Sequence, residues 1–351
     1  MLHLNYFFTD KFANVHFFSY LCTPNRKHIK QTNIMKKYLL LFTLAIVVCA
    51  ALQAQDCLYP ELDGKKGEEI RNVLFNMIKD HKVLSYNSVW ASVTGADDRN
   101  DGSGTIWDMY SDCVFDKWDD KCGSGESEDD CECYNREHSL PKSWWGGDTD
   151  VPMYTDLHHL IPTDRLANSQ RSAWPLGEVS SVEWTNGSSK LGYGTFGSSG
   201  SNKTFEPADE YKGDFARIYF YMATCYKDQD FTAGGKGYKV FNNGTANFVN
   251  TALNLYLKWH RNDPVSDKEI RRNNAVAKKQ GNRNPFVDEP ELAEYIWGNK
   301  KSVAYSCGTG SAVEDVNAGE TVRVKKVIEG GHLYIILPDG TRYTATGMLA
   351  K

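Results

Sequence analysis

Three short groups between Asn135 and Ser172 hold side chains that hydrolysis of a phosphodiester would use: Arg136-Glu137-His138, Asp156-Leu157-His158-His159 and Asn168-Ser169-Gln170-Arg171. Such a reaction needs a base to take a proton from water, a cation to absorb charge on the phosphoryl and leaving oxygens, and a group to hold the phosphate in line. A histidine titrates at about 6.5 when unperturbed, so a neutral His138 is suited to the first task. Glu137 and the Asn168 carbonyl are hard oxygen donors that suit one Mg²⁺, or Ca²⁺ or Mn²⁺, with water and substrate completing its shell. Asp156, His158 and Gln170 are expected to support these groups by hydrogen bonding, with His158 or His159 packed beneath the site.

The elements that would carry these residues can be read from spacing. Successive residues on a strand face opposite ways, so Glu137 and His138 can act together only where a strand ends or bulges, and Pro141 marks such an ending. Asp164 to Ser172 should form a short helix carrying Asn168. Ile70, Leu74, Met77 and Ile78 recur at helical spacing within 66–86, with Glu68 and Glu69 in the first turn. Strands and turns are expected over 87–112, best at Ile106 to Tyr110, and a Gly/Ser-rich loop over 186–202. Helices are predicted over 211–226, buried on most sides, and over 246–259 and 267–280. The last of these sits among clustered bases, including Arg271 and Arg272, which are candidates for phosphate contact in an acidic chain.

The 351 residues carry a net charge of −5, with 41% hydrophobic and 24% charged residues, a globular composition. The first 54 residues hold six of the 40 basic groups and one of the 45 acidic ones, so the remainder is more acidic still. Met35-Lys36-Lys37, the apolar run Tyr38 to Ala51 and Ala54 form a signal-peptide pattern, too short in its apolar part to span a bilayer comfortably. Residues 1–34 read as an extension from an upstream start codon, and 35–54 as the signal peptide of a periplasmic or secreted protein. A main domain over 56–305, a linker over 306–320 and a small β tail over 321–351 follow, the tail marked by hairpin signals at Gly330-Gly331 and Asp339-Gly340. No GxxxxGK[ST] phosphate cradle occurs in the sequence.

Beyond the signal segment lie seven cysteines, an odd number: Cys57, Cys113, Cys122, Cys131, Cys133, Cys225 and Cys307. The four from Cys113 to Cys133 occupy an acidic Gly/Ser-rich insertion and lack the C-x2-C knuckles of a zinc site, so disulfides that staple the loop are expected. Their connectivity cannot be read from spacing.

The runs REHSLPKSWWGG, YTDLHHLIPTDRLANSQRS and PLGEV, followed by YFYMATCY and NPFVDEPELAEYIWG, resemble the bacterial endonuclease I family, non-specific nucleases of the ββα-metal (His-Me finger) superfamily. The similarity runs from about Lys66 to Gly298. It implies an α+β fold in which a ββα-metal core is surrounded by helices, the β tail being an appendage. It also implies that Glu137 and Asn168 bind the metal and that His138 is the general base. Attack by His138-activated water would leave a 5′-phosphate and a 3′-hydroxyl on DNA, with RNA a further substrate, through backbone contacts without sequence preference and in a monomeric enzyme. Some relatives carry a phosphate-stabilising arginine between the histidine and the helix. None occurs here between Ser139 and Thr163, which leaves Lys142, Arg165 or Arg171, with Arg171 favoured for its closeness to Asn168. Two other readings compete: an exported nucleic-acid-binding protein without catalysis, and a cysteine-stapled surface interaction module.

Overall fold

The computed structural model describes residues 57–122 and 129–307, together with the backbone of 325–329, 332–336 and 342–344. The signal-peptide pattern, the linker from residue 308 on and part of the acidic insertion lie outside these residues. Contacts divide the chain into one unit of Cys57–Cys307 and another of the first 56 residues with Gly308–Lys351. In the tail, strands Lys325–Glu329, His332–Ile336 and Arg342–Thr344 form an antiparallel sheet in that order, with Glu329 opposite His332.

The larger unit opens with helices α1 (Glu68–Ile78) and α2 (Tyr86–Ala96) and the short paired strands β1 (Thr105–Ile106) and β2 (Phe115–Asp116). Next come β3 (Tyr134–His138), β4 (Leu160–Asp164) and helix α3 (Arg165–Arg171). Strands β5 (Val179–Thr185), β6 (Lys190–Gly194) and β7 (Thr204–Glu206) make a meander, and α4 (Lys212–Cys225), α5 (Asn250–Asn262), α6 (Asp267–Gln280), α7 (Pro285–Asp288) and α8 (Leu292–Ile296) complete a mixed α+β unit.

Helix α4 is the axis of the core. Every residue from Gly213 to Cys225 is buried, and Phe215, Tyr219 and Met222 pack in one cluster with Leu74 of α1, Tyr256 of α5 and Trp144. A second, smaller cluster joins Val89, Val93 and Ala96 of α2 to Leu157 and Leu160, which lead into β4, and to Val276 of α6. This second cluster sets the height of β4 and therefore of its partner β3.

Helix α6 begins and ends where the sequence places it, because Ser266 and Glu269 form a reciprocal capping box and Gly281 closes the end with φ 89°. Three segments differ from expectation, and of the predicted strand Ile106 to Tyr110 only Ile106 lies in a strand, β1. Helix α2 stands where strands and turns are predicted: the Ser85 hydroxyl caps it by accepting from Ser88 N, and Val89, Val93 and Ala96 make a buried helical stripe. Strand β6 occupies the predicted Gly/Ser loop. A Cβ at Gly192 or Gly194 would lie 2.0 Å from Ser181 O or 1.9 Å from Glu178 O, so these glycines permit the close approach of β5 rather than a loop.

Three disulfides form: Cys57–Cys307, Cys113–Cys131 and Cys122–Cys133, leaving Cys225 as a buried thiol. The insertion is stapled as its composition implies, and Cys225 is the odd residue, placed on α4 away from the other sulfurs.

Candidate active site

Strands β3 and β4 pair antiparallel with no register shift, from Tyr134 opposite Asp164 to His138 opposite Leu160. The pair stops at His138, so Glu137 and His138 sit at a strand end rather than on a bulge. Helix α3 follows β4 immediately, and the Asp164 carboxylate starts it by accepting from Ala167 N at 2.7 Å. The buried Asp108 carboxylate fixes the same corner, accepting from Thr163 Oγ1 at 2.6 Å and Asp164 N at 2.7 Å. Burial raises this carboxyl to about 6.

Glu137 points to the α3 side and is 4% exposed. Its Oε1 accepts from Arg171 Nη1 at 2.7 Å and from the Tyr110 hydroxyl at 3.1 Å. Its Oε2 has no side-chain donor among the described residues, and the His138 N–H also bears on the carboxylate. Burial lifts the carboxyl to about 7 against the pull of Arg171. On α3, Asn168 Nδ2 donates to Arg136 O at 3.4 Å, which turns the amide oxygen away from the strand. One carboxylate oxygen and one amide oxygen beside the β3–α3 junction therefore lack a side-chain donor among the described residues, a set that fits a hard divalent cation.

His138 lies on the other face of β3, half-buried. Its Nε2 is 3.0 Å from Tyr154 O, and because a carbonyl only accepts, Nε2 carries the hydrogen and Nδ1 presents the lone pair. The ring stacks on Tyr154 (5.3 Å, 14°) and meets Trp145 edge-on at 5.9 Å. Burial, with His159 nearby, pushes His138 down to about 3, which keeps the imidazole neutral.

Arg171 is a correction to the sequence reading. It is fully buried, and besides Glu137 its guanidinium donates to the carbonyls of His138 (3.1 Å) and Ser139 and to the Tyr219 hydroxyl (3.3 Å). So enclosed, it braces Glu137 and the end of β3 and is out of reach of a substrate phosphate. Arg272 is corrected in the same way: its Nε donates to Asp97 Oδ1 (2.9 Å) and its Nη2 to the carbonyls of Leu157 and Leu160 (2.7 Å each), so it staples the turn before β4. Arg271, on the same helix, is exposed; Lys142 is exposed with Nζ 5.6 Å from the Tyr154 ring; Arg165 is half-buried at the start of α3.

The buried Asp156 accepts from the hydroxyls of Tyr221 and Tyr226 (2.7 Å each), from Gln280 Nε2 (2.8 Å) and from His158 N (2.9 Å). It therefore organises the turn that feeds β4. His158 Nε2 reaches Asn282 O at 3.3 Å and His159 Nε2 reaches Met153 O at 2.7 Å, so both histidines are structural in place. Gln170 is half-exposed on α3, with no hydrogen bond to these groups among the described residues. Ligand atoms of His81, Asp156 and Cys225 also gather within 4.8 Å, but the Asp156 oxygens are already filled by the four donors above. Tyr110, Tyr154 and Asp108 are the supports that sequence reasoning missed, because each acts through a contact distant in sequence and has no motif of its own.

Comparison with known proteins shows the family. The family model for Endonuclease I matches residues 66–291. The chain is 35% identical over 246 residues to an extracellular ribonuclease of Bacillus amyloliquefaciens, covering 68% of this chain and 77% of the relative. It is 32% identical over 243 residues to an extracellular ribonuclease of Bacillus subtilis (strain 168), covering 69% and 78%. An Endonuclease-1 of Buchnera aphidicola subsp. Baizongia pistaciae (strain Bp) is 32% identical over 137 residues, covering 38% and 46%. The match spans the strand that carries Glu137 and His138, its partner β4, the helix that carries Asn168 and the core helix beneath them, and on it this chain belongs to the Endonuclease I family and is an endonuclease acting on nucleic acid.

Proposed function

We propose that this protein is an exported, non-specific endonuclease that uses one divalent cation, Mg²⁺ first among the candidates, and that β3, β4 and α3 form a ββα-metal core. The observation that carries the reading is the division of labour across β3: oxygens of Glu137 and Asn168 without a side-chain donor on the α3 side, and a neutral, rigidly held His138 on the other. Glu137 and Asn168 would hold the cation, which supplies charge neutralisation at the phosphoryl and leaving oxygens. His138 Nδ1 takes the proton of the attacking water, while the Nε2 hydrogen bond to Tyr154 O keeps the ring from turning. Arg171 aims Glu137 and offsets part of the rise that burial imposes on its carboxyl. The products are a 5′-phosphate and a 3′-hydroxyl.

The relatives' names, extracellular ribonuclease and Endonuclease-1, support RNA as well as DNA as substrates and support export, in keeping with the signal-peptide pattern and three disulfides. No helix among the described residues is long and apolar enough to cross a membrane. Supercoiled plasmid and a structured RNA, each incubated with the protein and Mg²⁺, test the proposal: both should be cut, and chelator should stop the reaction. Full activity in chelator, or intact plasmid with every divalent metal, would refute it.

A further inference from the structure

Three arginines in the described residues turn the edge formed by Nε and Nη2 to a carboxylate: Arg217 to Glu269, Arg261 to Glu294 and Arg283 to Asp288. This side-on fork is a strong way for a guanidinium to hold paired oxygens. Arg136 has the same edge with nothing on it. Its Nε is buried without a partner, its Nη2 makes no hydrogen bond among the described residues, and Nη1 alone is engaged, donating to Tyr86 O at 2.9 Å.

The side chain is nevertheless rigidly placed. Its guanidinium carbon lies 3.7 Å from the Tyr86 ring centroid and 4.3 Å from that of Trp90. With aromatic rings against its π surface, what remains for a ligand is the in-plane N–H edge, which matches phosphate oxygens and not a stacked base. Arg71 and Arg171 also leave Nε unpaired, but their Nη2 groups are engaged; an unpaired Nε beside an unengaged Nη2 sets Arg136 apart, at a cost in stability that a ligand would relieve.

The position points to the same site as His138. Arg136 and His138 are two residues apart on one face of β3, about 7 Å along the strand, or roughly one nucleotide step. Between them Tyr86 stacks on Tyr154 (4.5 Å, 19°), and Tyr154 stacks on the His138 ring. Lys142 extends over the outer part of the same Tyr154 ring. We propose that Arg136 binds, through Nε and Nη2, the phosphate next to the one being cut, and that Tyr86 and Trp90 are its positioning platform. This rests on the reading of the His138 face as the face that the nucleic acid approaches.

The test is equilibrium binding of a fluorescein-labelled DNA duplex to the full chain in chelator, by anisotropy across a salt series, with steady-state cleavage in Mg²⁺ alongside. Arg136→Gln keeps the apolar stem against the rings and should lower the slope of log affinity against log salt by about 0.9, the loss of one phosphate contact. KM should rise about tenfold with kcat changed far less, as for one charge-assisted contact shared by ground and transition states. Arg136→Lys should restore the slope while recovering KM only in part, because it returns the charge without the fork. An unchanged slope in Arg136→Gln, or an Arg136→Lys variant as impaired as Arg136→Gln, would overturn the assignment. A parent protein that cuts nucleic acid normally while Arg136→Gln matches it sinks this inference alone, whereas a parent that neither binds nor cuts sinks the nuclease mechanism beneath it.

Discussion

Glu137 and His138 are adjacent in sequence, yet the two faces of β3 on which they sit are built differently. The Glu137 face is closed: a buried carboxylate, a fully buried Arg171, and the hydroxyls of Tyr110 and Tyr219 bond one another and the last carbonyls of the strand. The His138 face is a stack of half-buried rings, Tyr86, Tyr154 and His138, whose order comes from π contacts and a single carbonyl. Removing one partner of a buried ion pair strands the other charge, so the closed face couples its chemistry to the stability of the fold. Truncating the His138 ring leaves only the neutral Tyr154 carbonyl without its partner and strands no buried charge, so the open face should tolerate substitution with less loss of stability.

Substitution at each face should expose that difference. The largest effect belongs to the open face: His138→Ala should lower kcat by about a thousandfold with a melting temperature close to the parent's, measured by plasmid cleavage and thermal unfolding. Comparable losses in both measurements would mean that the two faces are not separable. On the closed face, Arg171→Met should cost about 3–5 kcal/mol in urea unfolding, because Glu137 is left buried and unpaired, and activity should fall with it. A stable but inactive Arg171→Met protein would return Arg171 to direct contact with substrate.

Acid should act on buried histidines away from either face. His260, 7% exposed, is pushed down to about 4, chiefly by burial and then by Arg217. Its folded value lies below its unfolded one, so the unfolded chain takes up the proton first. Its share of stability is whole above pH of about 6.5 and is lost as pH falls toward 4, up to about 3 kcal/mol. Melting temperature should therefore decline across that window, and His260→Gln should flatten the decline; an equally steep limb in the variant would assign it to other groups. The smallest effect is expected at Arg271: Arg271→Ala should change KM by about twofold or less, since one exposed cation in a screened surface adds little.

How much of this could be read in advance follows from the range of the interactions. Helix α6 was legible because its signals, Ser266 with Glu269 and Gly281, lie within or next to the helix. Helix α2 was not, because its β-branched stripe of Val89 and Val93 looks like strand until Leu157 and Val276 are known to cover it. The glycines of β6 read as loop because the reason for them, the backbone of β5 pressed close, is a pairing and not a composition. The site shows the same division. The types and order of Glu137, His138 and Asn168 point to the proposed hydrolytic centre in one dimension, whereas charge on Arg171 and Arg272 says nothing about burial. Only the fold separates these two from Arg136, which carries the same charge and a free edge.

The Cys57–Cys307 bond brings the two ends of the larger unit to a Cα separation of 5.3 Å across 250 residues of chain. In covalent terms the unit is a ring with a sulfur seam. A single proteolytic nick in an exposed stretch such as Ser198–Ser201 therefore yields one permuted molecule and not two fragments. After such a nick the sulfur seam keeps the piece that carries β3, β4 and α3 tethered to the later piece that carries the core helix α4.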